Sequence, residues 1–304
     1  MHIENILVPV DFSPASQRAV DFAAGFARTL RAQLTLLHVA ENDNSGKPAS
    51  DAKHELSKML RPADTEGLNV QTRLRIGNAE DEICAAIEEE FADIVVMGVH
   101  HHGLIRRLLA GSTTEDILRK LPVPLLTLSS DAQPGPVTHI LFAADLSDSN
   151  PEAFGFALEL ARAFGASLIV HYSIEPIPIS YGGSMPVIDD PRDKKLLAEH
   201  ARQKLSEFES EGARQQVVVV SKITQGVAAE KILATAEESE CGLIVLTIHD
   251  KSLLERAFLG STAERIVRDA RVPVLSIPVK DASSPIENKV RAESLRILPF
   301  EATE

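Results

Sequence analysis

The sequence predicts an α/β protein of two tandem doubly wound domains, each a five-stranded, mainly parallel sheet with helices on both faces. Three observations carry that prediction. The chain has 304 residues, 44% hydrophobic and 25% charged, a globular composition with length for about two domains. It repeats itself: residues 5–34 align without a gap on 139–168, an offset of 134, and residues 94–128 align on 243–277, an offset of 149. Within each repeat, short apolar runs alternate with stretches whose apolar residues recur every three or four positions, the signature of strands and crossover helices.

Taken in order, ILVPV (6–10), LTLLHV (34–39), VQTRLRI (70–76), IVVMGV (94–99) and VPLLTL (123–128) read as strands. They are short, rich in Val, Ile and Leu and mostly continuous, as strands covered on both faces of a parallel sheet must be. Residues 14–31, 50–61, 79–91 and 111–120 read as amphipathic helices, with stripes such as Ile83, Ile87 and Phe91 or Ile117 and Leu121. Ser13-Pro14 is a helix start, Ser as N-cap and Pro at the first helical position. With right-handed crossovers this order gives five parallel strands per repeat. In the second copy Asp145, Ser147, Phe156 and Arg162 stand where the first has Asp11, Ser13, Phe22 and Arg28.

The two offsets differ by 15 residues, so the second repeat carries an insertion, IEPIPISYGGSMPVIDD (174–190), after its second strand. Its prolines at 176, 178 and 186, with Pro191 behind them, argue against helix, and Gly182-Gly183 gives a flexible tip. It reads either as a lid or partner-contact loop over the second crevice or as an ordered surface excursion. The Pro/Gly-rich stretch 131–138 is a linker. The domains are therefore 1–130 and 139–280, followed by a tail, 281–304, that matches neither repeat.

The net charge of -13 repels a phosphate backbone, which speaks against nucleic acid and anionic membrane as partners. Two cysteines, Cys84 and Cys241, exclude a disulfide framework. The N-terminal segment has no basic n-region, and no apolar run approaches the roughly 20 residues of a membrane helix. The expectation is a cytoplasmic protein.

Ligands of open α/β sheets bind beyond the C-terminal ends of the strands, where strand order reverses. In the first repeat those ends are Pro9, Val10 and Asp11, then His38 and Val39, then Met97, Gly98, Val99 and His100. About a dozen residues later Gly111-Ser112-Thr113 opens a helix, and Gly260-Ser261-Thr262 repeats it. Such a start offers backbone N–H groups, hydroxyls and the positive end of the helix dipole to an anion. A plain cap copied with the domain gives the same pattern.

These segments, ILVPVDFSPAS, LTLLHV, and MGVHHHGLIRRLLAGSTTEDILRKLPVPLLTL with its second copy, resemble the universal stress protein family, in its tandem form, over nearly all of residues 3–279. The resemblance implies the adenine nucleotide alpha hydrolase-like fold. It also implies, for one branch, binding of ATP or AMP through G-x2-G-x9-G-[ST] after strand four. Gly98, Gly111 and Ser112 keep that spacing, but His101 holds the middle glycine position, where it either obstructs a phosphate or faces one as an imidazolium. In the second repeat Thr247 and Asp250 replace both early glycines and only Gly260-Ser261 remains. Glycine matters there because a backbone without Cβ approaches phosphates closely and adopts positive φ. By resemblance, Pro9, Val10 and Asp11 border the adenosine or its Mg²⁺, and the backbone at Val39 meets the adenine edge. Asp145 and Ser173 are their counterparts, with His249 standing for His100. The candidate nucleotide site is thus in the first repeat and the second is a degenerate one. No metal site is assigned beyond Asp11 acting through a nucleotide.

His100–His102 in a row read first as a solvated loop, since three consecutive side chains cannot converge on one ion. His38 reads as a satisfied strand histidine and Cys84 as packing. Arg106, Arg107, Arg256 and Glu88–Glu90 read as surface charge. No GxxxxGK[ST] or GxGxxG motif is present. The functional reading is therefore a stress-response sensor or regulator that binds an adenine nucleotide, with weak ATP hydrolysis at most. The alternative is a scaffold with vestigial clefts acting through protein partners. The resemblance further implies pairing of the fifth strands, VPLLTL and VPVLSI, as an internal pseudo-dimer, and leaves a homodimer of whole chains open.

Overall fold

The computed structural model describes residues 3–40, 49–60, 66–99, 123–129, 131–145, 150–175, 191–250 and 261–280. The first repeat contains β1 (Asn5–Pro9), α1 (Pro14–Leu30), β2 (Gln33–Ala40), α2 (Ala49–Lys58), β3 (Val70–Ile76), α3 (Ala79–Glu89), β4 (Ile94–Val99) and β5 (Leu125–Ser129). The second contains β6 (His139–Ala143), α4 (Asn150–Phe164), β7 (Ser167–Ile174), α5 (Pro191–Arg214), β8 (Val219–Gln225), α6 (Ala228–Glu238), β9 (Leu243–Asp250), α7 (Ser261–Asp269) and β10 (Val274–Lys280). The helix expected over 111–120 lies outside the described residues.

Helix α1 starts as its sequence dictates. Ser13 Oγ accepts from the Ser16 N–H, Pro14 is the first helical residue, and the helix ends at Arg31 in the left-handed region, φ 57°. Gly165 does the same after α4 at φ 63°. One expectation about the insertion needs correcting. Pro191 does not oppose helix but opens α5, whose first turn needs no N–H from it. That helix runs 24 residues against ten in α2, so the longer second repeat differs in its second helix as well as in the segment before it.

The ten strands of the described residues join in one sheet, in the order β3-β2-β1-β4-β5-β10-β9-β6-β7-β8. Neighbours within a repeat are parallel. At the join β5 and β10 run antiparallel, Val274 opposite Thr127, Leu275 opposite Leu126 and Ser276 opposite Leu125. The fifth strands thereby cover edges that each repeat alone would expose. Two hydroxyls tie the seam further: Thr127 Oγ1 donates to the Val274 carbonyl at 3.3 Å and Ser129 Oγ to the Ala270 carbonyl at 2.7 Å.

Period-two alternation along the strands feeds two apolar layers, each continuous across both repeats. Helices α1, α2, α4 and α5 cover one face, over Ile6, Val8, Leu126, Phe142 and Leu275. Helices α3, α6 and α7 cover the other, over Leu7, Val95, Leu141, Ile244 and Val274. Phe26 of α1 meets Phe164 of α4 with ring centroids 5.2 Å apart, so the repeats share a core as well as a sheet. Both cysteines stay outside disulfides, and burial pushes the Cys241 thiol up to about 11, which keeps it protonated.

Candidate functional site

Strand order reverses between β1 and β4 in the first repeat and between β6 and β9 in the second. The two crevices differ in the strand pairing behind them, and one residue explains why. Along a parallel strand successive backbone groups face opposite neighbours. Val10 donates to the Leu37 carbonyl of β2 at 2.8 Å, and the Asn5 carbonyl accepts from Asp93 next to β4 at 2.9 Å, so Pro9 faces β4. A proline has no N–H to give there. The β1–β4 ladder accordingly stops at Ile6–Ile94 and Leu7–Val95. In the second repeat Ala143 stands in place of Pro9 and the ladder runs on to Ala143–Leu246. The first crevice thus has an acceptor on β4 that β1 cannot pair, where the second has a completed ladder.

Around the first crevice the expected residues sit on adjoining strand ends. Val10 is buried, Asp11 is exposed, and the Asp11 carboxylate accepts from the Ser13 N–H at 3.0 Å, which shapes the turn into α1. Val39, half-buried, lies near the end of β2 opposite Arg75 of β3. Met97 is buried in β4 and Gly98 follows it. Gly98 has no positive φ. Its lack of a Cβ serves the protein itself, because a Cβ there would lie 2.3 Å from the Ala15 carbonyl oxygen in the first turn of α1. His38 is satisfied as expected: Nδ1 lies 2.9 Å from the Val10 carbonyl and must carry the proton, since a carbonyl only accepts.

Sequence reasoning missed Phe12. It adopts φ 61°, an uncommon backbone conformation for a side chain of its size, and its ring stands 4.3 Å from the His38 ring, tilted by 41°. At 36% exposure it lines the mouth of the first crevice with an aromatic surface. Nothing in Asp11-Phe12-Ser13 announces this, because the strain comes from the strand-to-helix turn.

In the second repeat Asp145 is exposed after β6, and Ser173 Oγ donates to the Gly226 carbonyl at 2.9 Å. Thr247 lies in β9, and the backbones of His249 and Asp250 pair with Val279 and Lys280 of β10. At Asp250, the counterpart of the middle glycine, the chain is committed to a strand. Ser261 and Thr262 open α7. His100, His101, His102, Arg106, Arg107, Gly111, Ser112, Thr113, Arg256 and Gly260, with the tail and most of the insertion, lie outside the described residues. Among the described residues no group of three His, Cys, Asp or Glu side chains gathers to hold a metal. A cavity of about 930 Å³ opens elsewhere, between the C-terminal end of α1 and α4, lined by Leu30, Arg31, Phe156 and Arg162. It lies away from the strand ends that form the crevices.

Against this geometry stand the comparisons. The model of the universal stress protein family matches residues 2–129 and again 136–278. The chain belongs to the universal stress protein family. A tandem-length relative, a universal stress protein of Mycolicibacterium smegmatis, is 26% identical over 292 residues, covering 90% of this chain and 96% of its own. Universal stress protein Slr1230 of Synechocystis is 33% identical over 125 residues, 41% of this chain and 42% of its own. Universal stress protein MJ0531 of Methanocaldococcus jannaschii is 30% identical over 141 residues, 45% of this chain and 80% of its own. Among solved structures, a universal stress protein from Archaeoglobus fulgidus superposes with a TM-score of 0.65 at 20% identity, covering 92% of this chain and 97% of that one. That likeness shows the fold. No helix among the described residues is long and apolar enough to cross a membrane.

Proposed function

We propose that this universal stress protein binds an adenine nucleotide, ATP or AMP, chiefly in the crevice of the first repeat, and acts as a sensor or regulator. Family membership supports the stress-response role. The single observation that carries the choice of crevice is the early end of the β1–β4 ladder at Leu7–Val95, against Ala143–Leu246 in the second repeat. The missing Pro9 N–H leaves a β4 acceptor free of its strand partner near the strand ends, and Phe12 with His38 offers an aromatic surface beside it. A nucleotide fits these residues: Pro9, Val10 and Val39 border its apolar part, and Gly111-Ser112 stands at the family spacing for its phosphates. Asp11 alone does not make a divalent-cation site, so Mg²⁺ would arrive held by the phosphates, with Asp11 beside it.

The test is mass spectrometry of the protein as purified, joined to calorimetric titration with ATP and AMP, with and without Mg²⁺. Gly111→Val is expected to abolish binding and Gly260→Val to have the smaller effect. The opposite order assigns the site to the second repeat, and no heat at millimolar ATP replaces the nucleotide reading with the scaffold one.

A further inference from the structure

Three polar residues of the second repeat replace non-hydroxylic residues of the first at facing positions of neighbouring strands. His171 stands for Leu37, Ser173 for Val39 and Thr224 for Arg75. Ser173 is opposite Thr224 in the β7–β8 register, and His171 lies two residues back on the same side of β7. The three form a chain. His171 Nε2 lies 3.1 Å from Thr224 Oγ1, Thr224 Oγ1 lies 3.4 Å from Ser173 Oγ, and Ser173 Oγ lies 2.9 Å from the Gly226 carbonyl.

Each hydroxyl has one proton, and that fixes the direction of the whole chain. The Gly226 carbonyl only accepts, so Ser173 donates to it. Thr224 then donates to Ser173, and His171 must donate to Thr224 from Nε2. Nδ1 is left as a bare lone pair, and no donor among the described residues meets it. Complete burial holds the ring neutral, pushing it down to about 4. Every proton in the chain is thereby committed inward. Ser173, half-buried at the strand end, keeps one lone pair for a ligand and has no proton to offer an oxyanion.

We propose that His171 is a positioning residue of the second crevice: it orients Thr224 and Ser173 so that the end of β7 selects a ligand bringing an N–H donor, such as an unphosphorylated nucleoside with an exocyclic amine. The proposal rests on reading the crevices as ligand sites. It gives the second repeat a ligand class of its own, consistent with Asp250 standing where a phosphate-binding glycine would be.

The experiment uses the ¹⁵N-labelled full chain. Long-range imidazole spectra at pH 7 are expected to show neutral His171 with its proton on Nε2. Adenosine and purine riboside, which lacks the exocyclic amine, are then titrated while the amides of Ser173 and Gly226 are followed beside those of Val39 and Gly77. At the second-repeat signals adenosine is expected to bind about fivefold more tightly, the worth of one net hydrogen bond. Ser173→Val should bring the ratio to one, Ser173→Thr should retain it, and His171→Leu should lower it while the remaining amide spectrum stays that of the wild type. A proton on Nδ1, equal affinities in the wild type, a ratio that survives Ser173→Val, or no shift at Ser173 with either nucleoside overturns the proposal. ATP is titrated separately, and silence at Val39 and Gly77 with ATP counts against the nucleotide reading of the first repeat.

Discussion

A Cβ placed on Gly98 would lie 2.3 Å from the carbonyl oxygen of Ala15 and 2.9 Å from its methyl group. The first turn of α1 therefore rests directly on the end of β4, and only glycine permits it. Gly98→Ala is expected to destabilise the protein by about 1–3 kcal/mol, the range for overpacking against a backbone that cannot yield. Chemical denaturation without nucleotide measures this. An unchanged midpoint would return Gly98 to a purely ligand-facing role.

The same residue shows what the sequence could and could not disclose. The strand and helix spans of the described residues, the Ser13 cap and the tandem architecture were legible because they rest on local patterns of apolar spacing and on the repeat. The role of Gly98 was not, since spacing reveals a glycine but not which atom approaches it. Pro9 was visible as a strand-end residue, yet its effect on the ladder needed the knowledge that it faces β4 and not β2. Phe12 and the His171 chain depend on contacts between strands and on a turn conformation, neither of which has a periodicity to detect.

Pro9 yields the next prediction. Pro9→Ala restores an N–H toward β4 and lets the ladder extend as it does at Ala143. Nucleotide affinity is expected to fall roughly tenfold while stability holds or rises, because the added N–H takes up the β4 acceptor that a ligand would otherwise meet. Calorimetry on the variant checks it. Retained affinity with a longer ladder, seen by amide exchange, would remove the unpaired acceptor from the explanation.

Phe26 is almost wholly buried and meets Phe164 of the other repeat. Phe26→Ala is expected to cost about 3–5 kcal/mol, the range for emptying an aromatic core position. Because both apolar layers cross the seam, the wild type should unfold in one transition whether followed by amides of the first or the second repeat. Separate midpoints in the wild type would show that the shared core does not couple them.

His171 sets a pH dependence. Burial, with Lys222 adding repulsion, lowers its imidazole from 6.5 to about 4. Between those values the unfolded chain binds a proton that the folded chain refuses, so stability falls as pH drops through this window, and the loss is complete below about pH 4. The full loss from this group is about 3 kcal/mol. His171→Leu should flatten the Tm profile between pH 6.5 and 4 and leave it parallel to the wild type above. Parallel profiles throughout would assign the acid sensitivity elsewhere.

The two equivalent helices α3 and α6 begin differently. Asn78 caps α3 by accepting from the Glu80 and Asp81 N–H groups at 2.9 and 3.3 Å. Val227 holds the same position before α6 with no side-chain cap, although its φ of -63° and ψ of 119° nearly match those of Asn78 at -72° and 128°. Glu175 already accepts from the Ala228 N–H at 2.6 Å, which serves the first helical residue only. An asparagine at 227 would reach the next two N–H groups without displacing Glu175, and it would remove a valine that is 47% exposed. Val227→Asn is therefore expected to raise stability by about 0.5–1 kcal/mol, and Asn78→Ala to lower it by about 1 kcal/mol. Thermal denaturation of both variants gives the comparison. A Val227→Asn protein no more stable than the wild type, beside a weakened Asn78→Ala, would mean that the Glu175 carboxylate by itself satisfies the start of α6.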